Sequence, residues 1–339
     1  MSKKNLIAGQ SGGPTAAINS SLYGVIREGF NRSEEIEHVY GMINGIQGFL
    51  DGRFMDMKEL DNDTLEALRT TPGAYLGSCR FKLPDDLNDA IYPLLFQKFE
   101  EMNIGYFFYI GGNDSMDTVS KLSRYAAAHN IDVRIMGIPK TIDNDLILTD
   151  HTPGFGSAAK YVAASVCEIG LDASVYNTKS VTIIEIMGRH AGYLALYVGV
   201  AVGATAVLVP EHPYDFKVQV ADNIRHARLN GKTNFMIVVA EGAASAVEVG
   251  RQIQEELALD PRVTILGHIQ RGGSPTAKDR VMATRMGYEA VRVLAEGKTN
   301  RVICAKDDQI IDLDIDEGLA MKKTLNSEEF KVMTVMTGM

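Results

Sequence analysis

A pattern of short apolar run, glycine turn and amphipathic helix recurs along the 339-residue chain and limits the folds open to it. In the first occurrence, an apolar run at residues 5–8 leads into a glycine turn at residues 9–15, and apolar residues then recur at helical spacing from Ile18 onwards. Strands that alternate with helices form parallel sheets covered by helices on both faces. The sequence therefore predicts an α/β fold with mainly parallel sheets. Later occurrences begin at residues 106–110, 181–186, 235–240 and 263–266.

The length and charge of the chain restrict its architecture and its partners. A single hydrophobic core stops growing beyond roughly 250–300 residues, so 339 residues predict two lobes. The formal net charge of −9 argues against nucleic acid as the main partner, although a local group of basic residues can still bind an anionic substrate. No apolar run reaches the roughly 18 residues that a membrane span needs, so we expect no membrane partner.

Two further features indicate a cytoplasmic protein. The first residues lead straight into a predicted strand, so we expect no signal peptide. Cys79, Cys167 and Cys304 are far apart and show no metal-binding or redox spacing, which is typical of a reducing compartment.

Charged residues stand in two of the turns that follow predicted strands. Asp114 lies in Gly-Gly-Asn-Asp-Ser at residues 111–115, and Lys140 lies in Pro-Lys-Thr-Ile-Asp-Asn-Asp at residues 139–145. Glycines after a buried strand let backbone N–H groups approach a phosphate closely, although such turns are also common as purely structural features. The chain contains no G-x-x-x-x-G-K-[ST] loop. We expect Asp114 and Lys140 to decide which phosphate donor fits.

Two carboxylates, Asp143 and Asp145, follow the second of these turns. An Asx-rich turn would explain them without any function. Phosphoryl transfer, however, needs a base for the attacking hydroxyl, and a second carboxylate nearby could support that base or a metal. Lys140 favours the functional interpretation, because a lysine can neutralise charge that develops on a transferring phosphoryl group.

Several basic side chains lie near predicted strand boundaries with a glycine close by. An isolated surface arginine is usually solvated, and an isolated histidine can be a satisfied core residue. As a set they are able to bind a sugar phosphate, because arginine forms bidentate hydrogen bonds with phosphate. Glu241, at a predicted strand end, could accept hydrogen bonds from sugar hydroxyls. The basic set comprises Arg80, Arg189, Arg262, His268 and Arg271.

Residues 154–159 fit the loose dinucleotide-binding pattern G-x-G-x-x-A. They follow Asp-His-Thr-Pro at residues 150–153 rather than a predicted strand. A dinucleotide-dependent oxidoreductase is therefore only a distant alternative.

Taken in order along the chain, these segments resemble those of the phosphofructokinase family. Two are specific, namely Thr-Ile-Asp-Asn-Asp at residues 141–145 and Gly-His-Ile-Gln-Arg-Gly-Gly-Ser-Pro at residues 267–275. The resemblance covers nearly the whole chain. The other matching segments are residues 12–13, 77–81, 111–115 and 187–189, together with Glu241.

The resemblance implies a role for each site residue. Asp143 corresponds to the base that takes the proton from the 1-hydroxyl of fructose 6-phosphate, with Lys140 and Asp114 as the other catalytic residues. Donor binding is assigned to Gly13, Arg80, Gly112 and Ser115. The sugar-phosphate site would comprise Thr141, Ile142, Asp143, Met187, Gly188, Arg189, Glu241, Arg262, His268 and Arg271, with His268 and Arg271 at the 6-phosphate.

The resemblance also implies an architecture and an assembly. The expected fold has two Rossmann-like lobes with the active site between them. We place the larger, donor-binding lobe at residues 1–154 plus 270–320 and the smaller, sugar-phosphate lobe at residues 155–269 plus 321–339. Members of the family form homo-oligomers that share active sites, so we expect a dimer or tetramer in which Arg262 reaches the site of a neighbouring subunit.

Departures from the family pattern indicate the phosphate donor. ATP-dependent members have glycine at the positions of Asp114 and Lys140. A carboxylate at Asp114 would repel the inner phosphate of a nucleotide, and Lys140 would add positive charge for pyrophosphate, so both resemble the pyrophosphate-dependent branch. Leu50 also stands where ATP-dependent relatives place an aromatic residue beside adenine.

A further departure concerns the metal. Asn113 replaces an aspartate that many members link to magnesium. We expect Mg²⁺ as the cofactor, with Asn113 as a contact.

We therefore expect reversible phosphoryl transfer from pyrophosphate to fructose 6-phosphate. The same chemistry with ATP is the nearest alternative, and a noncatalytic sugar-phosphate sensor is a further one, which the intact Asp143 argues against. Control by nucleotides and phosphoenolpyruvate is expected to be absent. Of the basic residues at the family's effector site, Arg27 and Lys232 are kept, Tyr23 and Asn234 replace two others, and residues 170–173 lack an arginine.

Overall fold

The computed structural model describes residues 3–146, 149–175, 180–321, 323–325 and 327–337. The chain divides into two compact units. Unit 1 comprises Met1–Thr141, Leu146–Ser157 and Ser274–Lys323, and unit 2 comprises Ile142–Asp145, Ala158–Gly273 and Thr324–Met339. Compared with the lobes predicted from the sequence, the main difference is that Ile142–Asp145 groups with unit 2.

Strands and helices alternate along most of the chain, as the recurring pattern predicts. The strands are β1 Lys4–Gln10, β2 Ile36–Met42, β3 Phe54–Asp56, β4 Ile104–Gly111, β5 Arg134–Pro139, β6 Ser180–Ile186, β7 Ala206–Leu208, β8 Asn234–Ala240, β9 Asp260–Ile265, β10 Arg301–Lys306 and β11 Gln309–Asp314. The α-helices are α1 Ile18–Asn31, α2 Gly45–Leu50, α3 Asn62–Ala67, α4 Ile91–Glu101, α5 Asn113–Ala128, α6 Phe155–Ser174, α7 Tyr193–Val202, α8 Asp222–Leu229, α9 Ala246–Leu257, α10 Ala277–Ala295, α11 Ile315–Leu319 and α12 Ser327–Thr337. Short 3-10 helices span Met57–Glu59 and Gly267–Arg271, and a π-helical turn spans Lys217–Ala221.

Unit 1 is built on a seven-stranded sheet with the order β11-β10-β5-β4-β1-β2-β3. The central strands are parallel, whereas β2–β3 and β10–β11 pair antiparallel. All eight residues of β4 are buried, and successive side chains enter different cores, since Phe108 packs with Leu6 and Phe107 packs with Ile7. Helices therefore cover both faces of this sheet, which is why its central strands are continuously apolar.

Unit 2 has a four-stranded parallel sheet with the order β7-β8-β6-β9. The strands β6 and β8 form the middle of its core, which α8 and α9 cover with apolar side chains. The most apolar stretch of the sequence, residues 191–210, contains α7 and β7. The prediction of an α/β fold with mainly parallel sheets is confirmed.

The carboxyl ends of neighbouring parallel strands bring the polar turns together within each unit. In unit 1, β1 and β5 flank β4, so the turns that follow these three strands are adjacent. In unit 2, the turns after β6 and β8 are adjacent for the same reason. Ligands of open α/β sheets bind at such edges. None of the helices in the described ranges has the length and apolar character needed to cross a bilayer.

Candidate active site

A buried lysine holds the glycine turn after β1. The Lys140 Nζ atom donates hydrogen bonds to the carbonyl oxygens of Ser11 (3.0 Å) and Gly13 (2.6 Å). The hydroxyl of Ser78 donates to the carbonyl of Gly12, at 2.6 Å. Gly12 has φ +76°, a left-handed conformation that glycine adopts without steric cost. The carbonyl oxygens of this turn are therefore bound within the protein, and Lys140 is only 2% exposed.

Two backbone amides at the same edge have no acceptor in the described part of the chain. They belong to Gly13 and to Gly112, the residue that precedes α5. The hydroxyls of Ser11 and Ser115 are hydrogen-bonded to each other and join the turns after β1 and β4. The amino end of a helix carries partial positive charge and attracts anions. Gly13, Gly112 and Ser115, which the sequence assigns to donor binding, thus lie together at one edge of the sheet.

The Asp114 carboxylate lies in the first turn of α5 and pairs with Lys82. Its Oδ1 atom is 2.9 Å from the Lys82 Nζ atom, and the side chains are 63% and 72% exposed. The hydrogen bond and the charge of Asp114 raise the pKa of Lys82. Lys82 was not predicted from the sequence; it stands two residues after Arg80, directly after the segment 77–81 that matches the family.

The segment that carries Lys82 is fixed at both of its ends. At one end, the carbonyl of Cys79 accepts a hydrogen bond from the Gly12 amide, at 3.1 Å. At the other, the nearly buried ammonium of Lys121 on α5 pairs with Asp85 at 2.6 Å. Arg80 lies between these anchors with an exposed side chain that forms no hydrogen bond or ion pair with any described residue. Two cations of this segment, Arg80 and Lys82, are therefore presented beside the glycine turns.

The proposed base lies in the short segment Ile142–Asp145 of unit 2. Ile142 is buried, and the Asp143 side chain is half-buried. Asn144 has φ +50°, so the backbone makes the tight turn that Asp and Asn favour. These residues can form an Asx-rich turn and still supply a base, because the turn leaves the Asp143 side chain partly exposed.

In unit 2, a carboxylate organises the turn after β6. The Glu241 Oε1 atom accepts hydrogen bonds from the backbone amides of Arg189 (3.0 Å) and Gly188 (3.3 Å). Gly188 has φ +150°, and a Cβ atom at this position would lie 2.3 Å from the carbonyl oxygen of Ala191. Arg189 also has a positive φ, +52°. Glu241 thus stabilises a turn conformation that the backbone would not adopt readily by itself.

Gln270 connects this turn to the predicted phosphate-binding residues. Its side-chain oxygen accepts a hydrogen bond from the Met187 amide (3.2 Å), and its side-chain nitrogen donates to the carbonyl of Gly267 (2.9 Å). Gln270 is buried in the 3-10 helix that also carries His268, which is exposed, and Arg271, which is half-buried. Gln270 was not among the site residues predicted from the sequence, although it lies inside the specific segment at residues 267–275.

Arg262 lies on the edge strand β9 and pairs with Asp172 on α6, at 2.9 Å. The resemblance assigns Arg262 to the site of a neighbouring subunit. The edge position leaves its strand exposed, since Val263 and Ile265 beside it are also exposed.

The first turn of α6 contains the dinucleotide-like pattern. The Ser157 amide in this turn donates to the Asp279 carboxylate, at 2.7 Å. An internal anion therefore occupies the place where a dinucleotide fingerprint binds a pyrophosphate. This contact disfavours the oxidoreductase alternative.

The residues that could hold Mg²⁺ are few. No three His, Cys, Asp or Glu side chains come together as a metal site in the part of the chain that the structure describes. Mg²⁺ needs no such cage, because it is usually bound by one or two protein oxygens, by water and by substrate phosphates. Asn113, in the first turn of α5 beside Asp114, offers an amide oxygen next to the free amide of Gly112. The donor set at this helix end fits a metal that arrives with a phosphate donor.

An α/β protein whose glycine turns leave backbone amides available beside lysine and arginine has the features of a phosphotransferase. A family model described as Phosphofructokinase matches residues 5–294. The protein belongs to the phosphofructokinase family.

Relatives of known sequence and relatives of known structure carry different names. The chain is 36% identical over 327 residues to an ATP-dependent 6-phosphofructokinase of Clostridium acetobutylicum, covering 96% of this chain and 97% of that protein. It is 38% identical over 325 residues to ATP-dependent 6-phosphofructokinase 1 of Clostridium perfringens, covering 95% and 96%.

Two similar solved structures are pyrophosphate-dependent phosphofructokinases. That of Nitrosospira multiformis has a TM-score of 0.88 and 30% identity and covers 96% of this chain and 86% of that one. That of Marinobacter aquaeolei has a TM-score of 0.87 and 31% identity and covers 98% and 91%. Family membership therefore rests on both comparisons, whereas the names of the relatives do not agree on the phosphate donor.

Proposed function

We propose that the protein transfers a phosphoryl group reversibly from pyrophosphate to the 1-hydroxyl of fructose 6-phosphate, which gives fructose 1,6-bisphosphate and phosphate. The phosphotransferase class follows from membership of the phosphofructokinase family. The choice of pyrophosphate rests on the residues at the amino end of α5 and on the resemblance to the two pyrophosphate-dependent structures.

The observation that most directly supports pyrophosphate as the donor is the exposed Asp114 carboxylate in the first turn of α5. The free amides of Gly13 and Gly112 suit phosphate oxygens. A nucleotide would bring a further phosphate and a ribose to this region, and Asp114 would repel that phosphate. Pyrophosphate has no such extension, so a carboxylate at this position rejects the nucleotide more strongly than it rejects pyrophosphate.

A carboxylate beside a pyrophosphate site needs compensating charge. Lys82 pairs with Asp114, Arg80 lies two residues before Lys82, and Lys140 lies buried behind the turn after β1. Three cations and one carboxylate leave a local excess of two positive charges. Such an excess attracts an anionic donor even though the whole chain carries a net charge of −9.

The proposed mechanism assigns the chemistry to three residues. Asp143 accepts the proton of the 1-hydroxyl as the hydroxyl oxygen attacks phosphorus, and the bridging P–O bond of pyrophosphate breaks to release phosphate. Lys140 stabilises the negative charge on the phosphoryl oxygens, and Asn113 would contact Mg²⁺. When bound with the donor, the metal offsets charge on the phosphate oxygens. Donor binding is proposed for unit 1 and sugar-phosphate binding for unit 2.

The proposed sugar site combines two kinds of group. The Glu241 carboxylate has oxygen atoms that can accept hydrogen bonds from sugar hydroxyls, and Met187 and Gly188 lie in the turn that Glu241 binds. The 6-phosphate is assigned to His268 and Arg271 of the 3-10 helix and to Arg262 from a second copy of the chain. Arg189, which follows Gly188 in the turn, is assigned to the sugar. Thr141 and Ile142 complete the sugar site through their backbone.

The second candidate function is the same transfer with ATP as donor. The names of the clostridial relatives favour it. Their identity to this chain, 36% and 38%, leaves the residues that select the donor free to differ.

One assay separates the two donors. Purified protein is incubated with fructose 6-phosphate and Mg²⁺, and initial rates are measured with pyrophosphate and with ATP over a range of donor concentrations. We expect turnover with pyrophosphate and a much smaller kcat/KM with ATP. A larger kcat/KM with ATP would overturn the donor assignment.

A variant then tests the residue that carries the assignment. Asp114→Gly should raise kcat/KM with ATP and lower it with pyrophosphate, because it removes the repulsion and disturbs the Lys82 pair. The matched control is Asp222→Gly, since Asp222 is also exposed in the first turn of a helix and pairs with Arg225 at 2.7 Å. The control should leave the ratio of the two donors unchanged.

A further inference from the structure

A completely buried carboxylate lies behind the turns of unit 1, outside every role assigned above. Asp279, in the first turn of α10, has no exposed surface. Its carboxylate accepts hydrogen bonds from His151 Nε2 (2.5 Å), from the Ser157 amide (2.7 Å) and from the Ser157 hydroxyl. Burial of a charge is costly unless hydrogen bonds and an ionic partner compensate it. The carboxylate of Asp279 has both kinds of compensation, and it joins the two residues that donate to it.

Asp279 is ionised despite its burial. Burial opposes the charged form, but the hydrogen bond and charge of His151 and the hydrogen bonds of Ser157 outweigh it, so the pKa of Asp279 lies below its usual value. The network continues to the loop before α10, because the Thr276 amide donates to the Ser157 hydroxyl at 3.1 Å. These hydrogen bonds join His151 and Ser157 to Thr276 and Asp279, which lie more than 115 positions later in the sequence.

The segment between His151 and Ser157 contacts Thr141 of the proposed sugar site and the turn that carries Gly13 of the proposed donor site. The hydroxyl of Thr152, a residue with no exposed surface, donates to the carbonyl of Thr141 at 2.9 Å. Gly154 forms a bridge with Thr141. A Cβ atom at Gly154 would lie 2.7 Å from Thr15, so this backbone packs closely against the turn that carries Gly13. The residue before Ile142 and the phosphate-binding turn therefore rest on the same segment.

We propose that Asp279, His151 and Ser157 form a positioning network for phosphoryl transfer: they fix residues 151–157, and these residues fix Thr141 and Thr15. None of the three touches a substrate in this proposal. The inference rests on the proposed phosphotransferase activity but not on the identity of the donor. It predicts that weakening the network slows turnover in a protein that remains folded and still binds its substrates.

The expected size of the effect follows from the cost of misplaced groups. Displacing a reacting group by about 1 Å costs up to roughly 10²-fold in rate. Ser157→Ala and Thr152→Val should each lower kcat about tenfold, while KM for fructose 6-phosphate and for the donor changes by less than about threefold. Ser157→Thr keeps the hydroxyl and should recover most of the lost kcat. Asp279→Asn should show the largest loss.

The matched control is Thr205→Val. Thr205 is equally buried, and its hydroxyl accepts a hydrogen bond from the Met236 amide at 3.2 Å. It lies just before β7, at the amino edge of the unit 2 sheet, away from the turns at the carboxyl edge. This variant should lose stability as Thr152→Val does, but it should keep the wild-type kcat.

The kinetic comparison uses full-length protein and the donor that supports wild-type turnover. The network is merely structural if Ser157→Ala and Thr152→Val keep the wild-type kcat at a temperature where they are folded, and that outcome overturns the proposal. Additive losses in the Ser157→Ala, Thr152→Val double variant would also contradict it, because groups that act through one segment should not add. Should Asp279→Asn fail to fold, these two variants decide.

A second measurement does not depend on activity. Amide hydrogen exchange of a peptide covering residues 139–146 should be faster in Ser157→Ala and Thr152→Val than in wild type and in Thr205→Val. If wild type has no turnover with either donor, the proposed function fails while this measurement still tests the network. Unchanged exchange in both variants would overturn the positioning role.

Discussion

The turn after β1 in unit 1 and the turn after β6 in unit 2 are stabilised by groups of opposite charge. In unit 1, the Lys140 ammonium donates to the carbonyl oxygens of Ser11 and Gly13. In unit 2, the Glu241 carboxylate accepts from the amides of Gly188 and Arg189. A cation therefore occupies the acceptors of one turn, and an anion occupies the donors of the other.

The difference determines which ligand each turn suits. Because Lys140 binds two carbonyl oxygens of its turn and the Gly13 amide has no acceptor among the described residues, this turn suits an anionic ligand. Once amides are bound by Glu241, the turn has no N–H groups left for phosphate at those two positions. It then suits a ligand whose hydroxyls donate hydrogen bonds to oxygen atoms. The buried Lys140 ammonium and the exposed Glu241 carboxylate thus distinguish a turn suited to the proposed phosphate donor from a turn suited to the proposed sugar ligand.

The largest effect is expected from the proposed base, Asp143. Asp143→Ala should lower kcat about 10²–10⁴-fold, the typical contribution of a general base, with a much smaller change in KM for fructose 6-phosphate. Steady-state kinetics with either substrate varied would measure both constants. Asp143→Asn should behave similarly, because the amide cannot accept the proton.

Asp150→Ala provides the control for this experiment. Asp150 is exposed and accepts a hydrogen bond from the Asp307 amide at 3.0 Å, and its loss should leave kcat within about twofold of wild type, as for most surface substitutions. Near-normal turnover in Asp143→Ala would move the role of base to another residue, and Asp145 would be the first to test.

The next largest effect tests the cation of the unit 1 turn. Lys140→Gly removes a group that stabilises developing charge, a loss worth about 3–4 kcal/mol or roughly 10²–10³-fold in kcat with pyrophosphate. It also leaves two carbonyl oxygens without their donor. Lys140→Met keeps most of the side-chain volume and separates the charge from the packing. If Lys140→Met retained the wild-type kcat, the charge that binds the unit 1 turn would not contribute to catalysis.

A smaller effect of a different kind is expected from the anion of the unit 2 turn. Glu241→Gln should raise KM for fructose 6-phosphate about tenfold, because one amide donor replaces an acceptor near the sugar, while KM for the donor stays constant. Glu185→Gln is the control, since the Glu185 carboxylate also accepts a backbone amide, that of Ala246, at 2.9 Å. An equal rise in KM for both substrates would mean that Glu241 does not distinguish the two regions.

The sequence predicted those features that depend on neighbours in the chain. The glycine turns after β1, β4, β6 and β8 could be located because apolar runs end abruptly at Gly9, Gly111, Met187 and Glu241. The strand expected at residues 263–266 begins earlier, at Asp260, and ends at Ile265. Its polar residues resemble a loop because β9 is an edge strand and is half exposed.

Features that depend on distant contacts were missed. Lys82 appears in the sequence as an ordinary exposed lysine, and only its pair with Asp114, 32 positions later, gives it a role. Asp279 and His151 are 128 positions apart, and no recognisable sequence motif marks either residue as part of a site. Lys140 was predicted as a catalytic cation, but its contact with the turn after β1 required the order of the strands, in which β4 separates β1 from β5. Local patterns cannot supply such an order.

The last prediction is that allosteric ligands have no effect on the rate. Arg27, the arginine kept at the family's effector position on α1, pairs with Glu66. The same carboxylate accepts a hydrogen bond from the Tyr23 hydroxyl (2.8 Å) and pairs with Arg69 (2.5 Å). In unit 2, residues 170–173 present the Asp172 carboxylate, which is bound to Arg262. Each cation has an internal partner, so little positive charge remains for an effector.

An anion held by exposed side chains needs several converging charges, since each exposed pair contributes little alone. Initial rates are measured at subsaturating fructose 6-phosphate while ADP or phosphoenolpyruvate is titrated. The expected curves are hyperbolic in the sugar phosphate and unmoved by either ligand, and Glu66→Ala should be the variant most able to gain a response because it releases Arg27 and Arg69. Sigmoid kinetics that ADP abolishes in the wild-type protein would contradict this prediction.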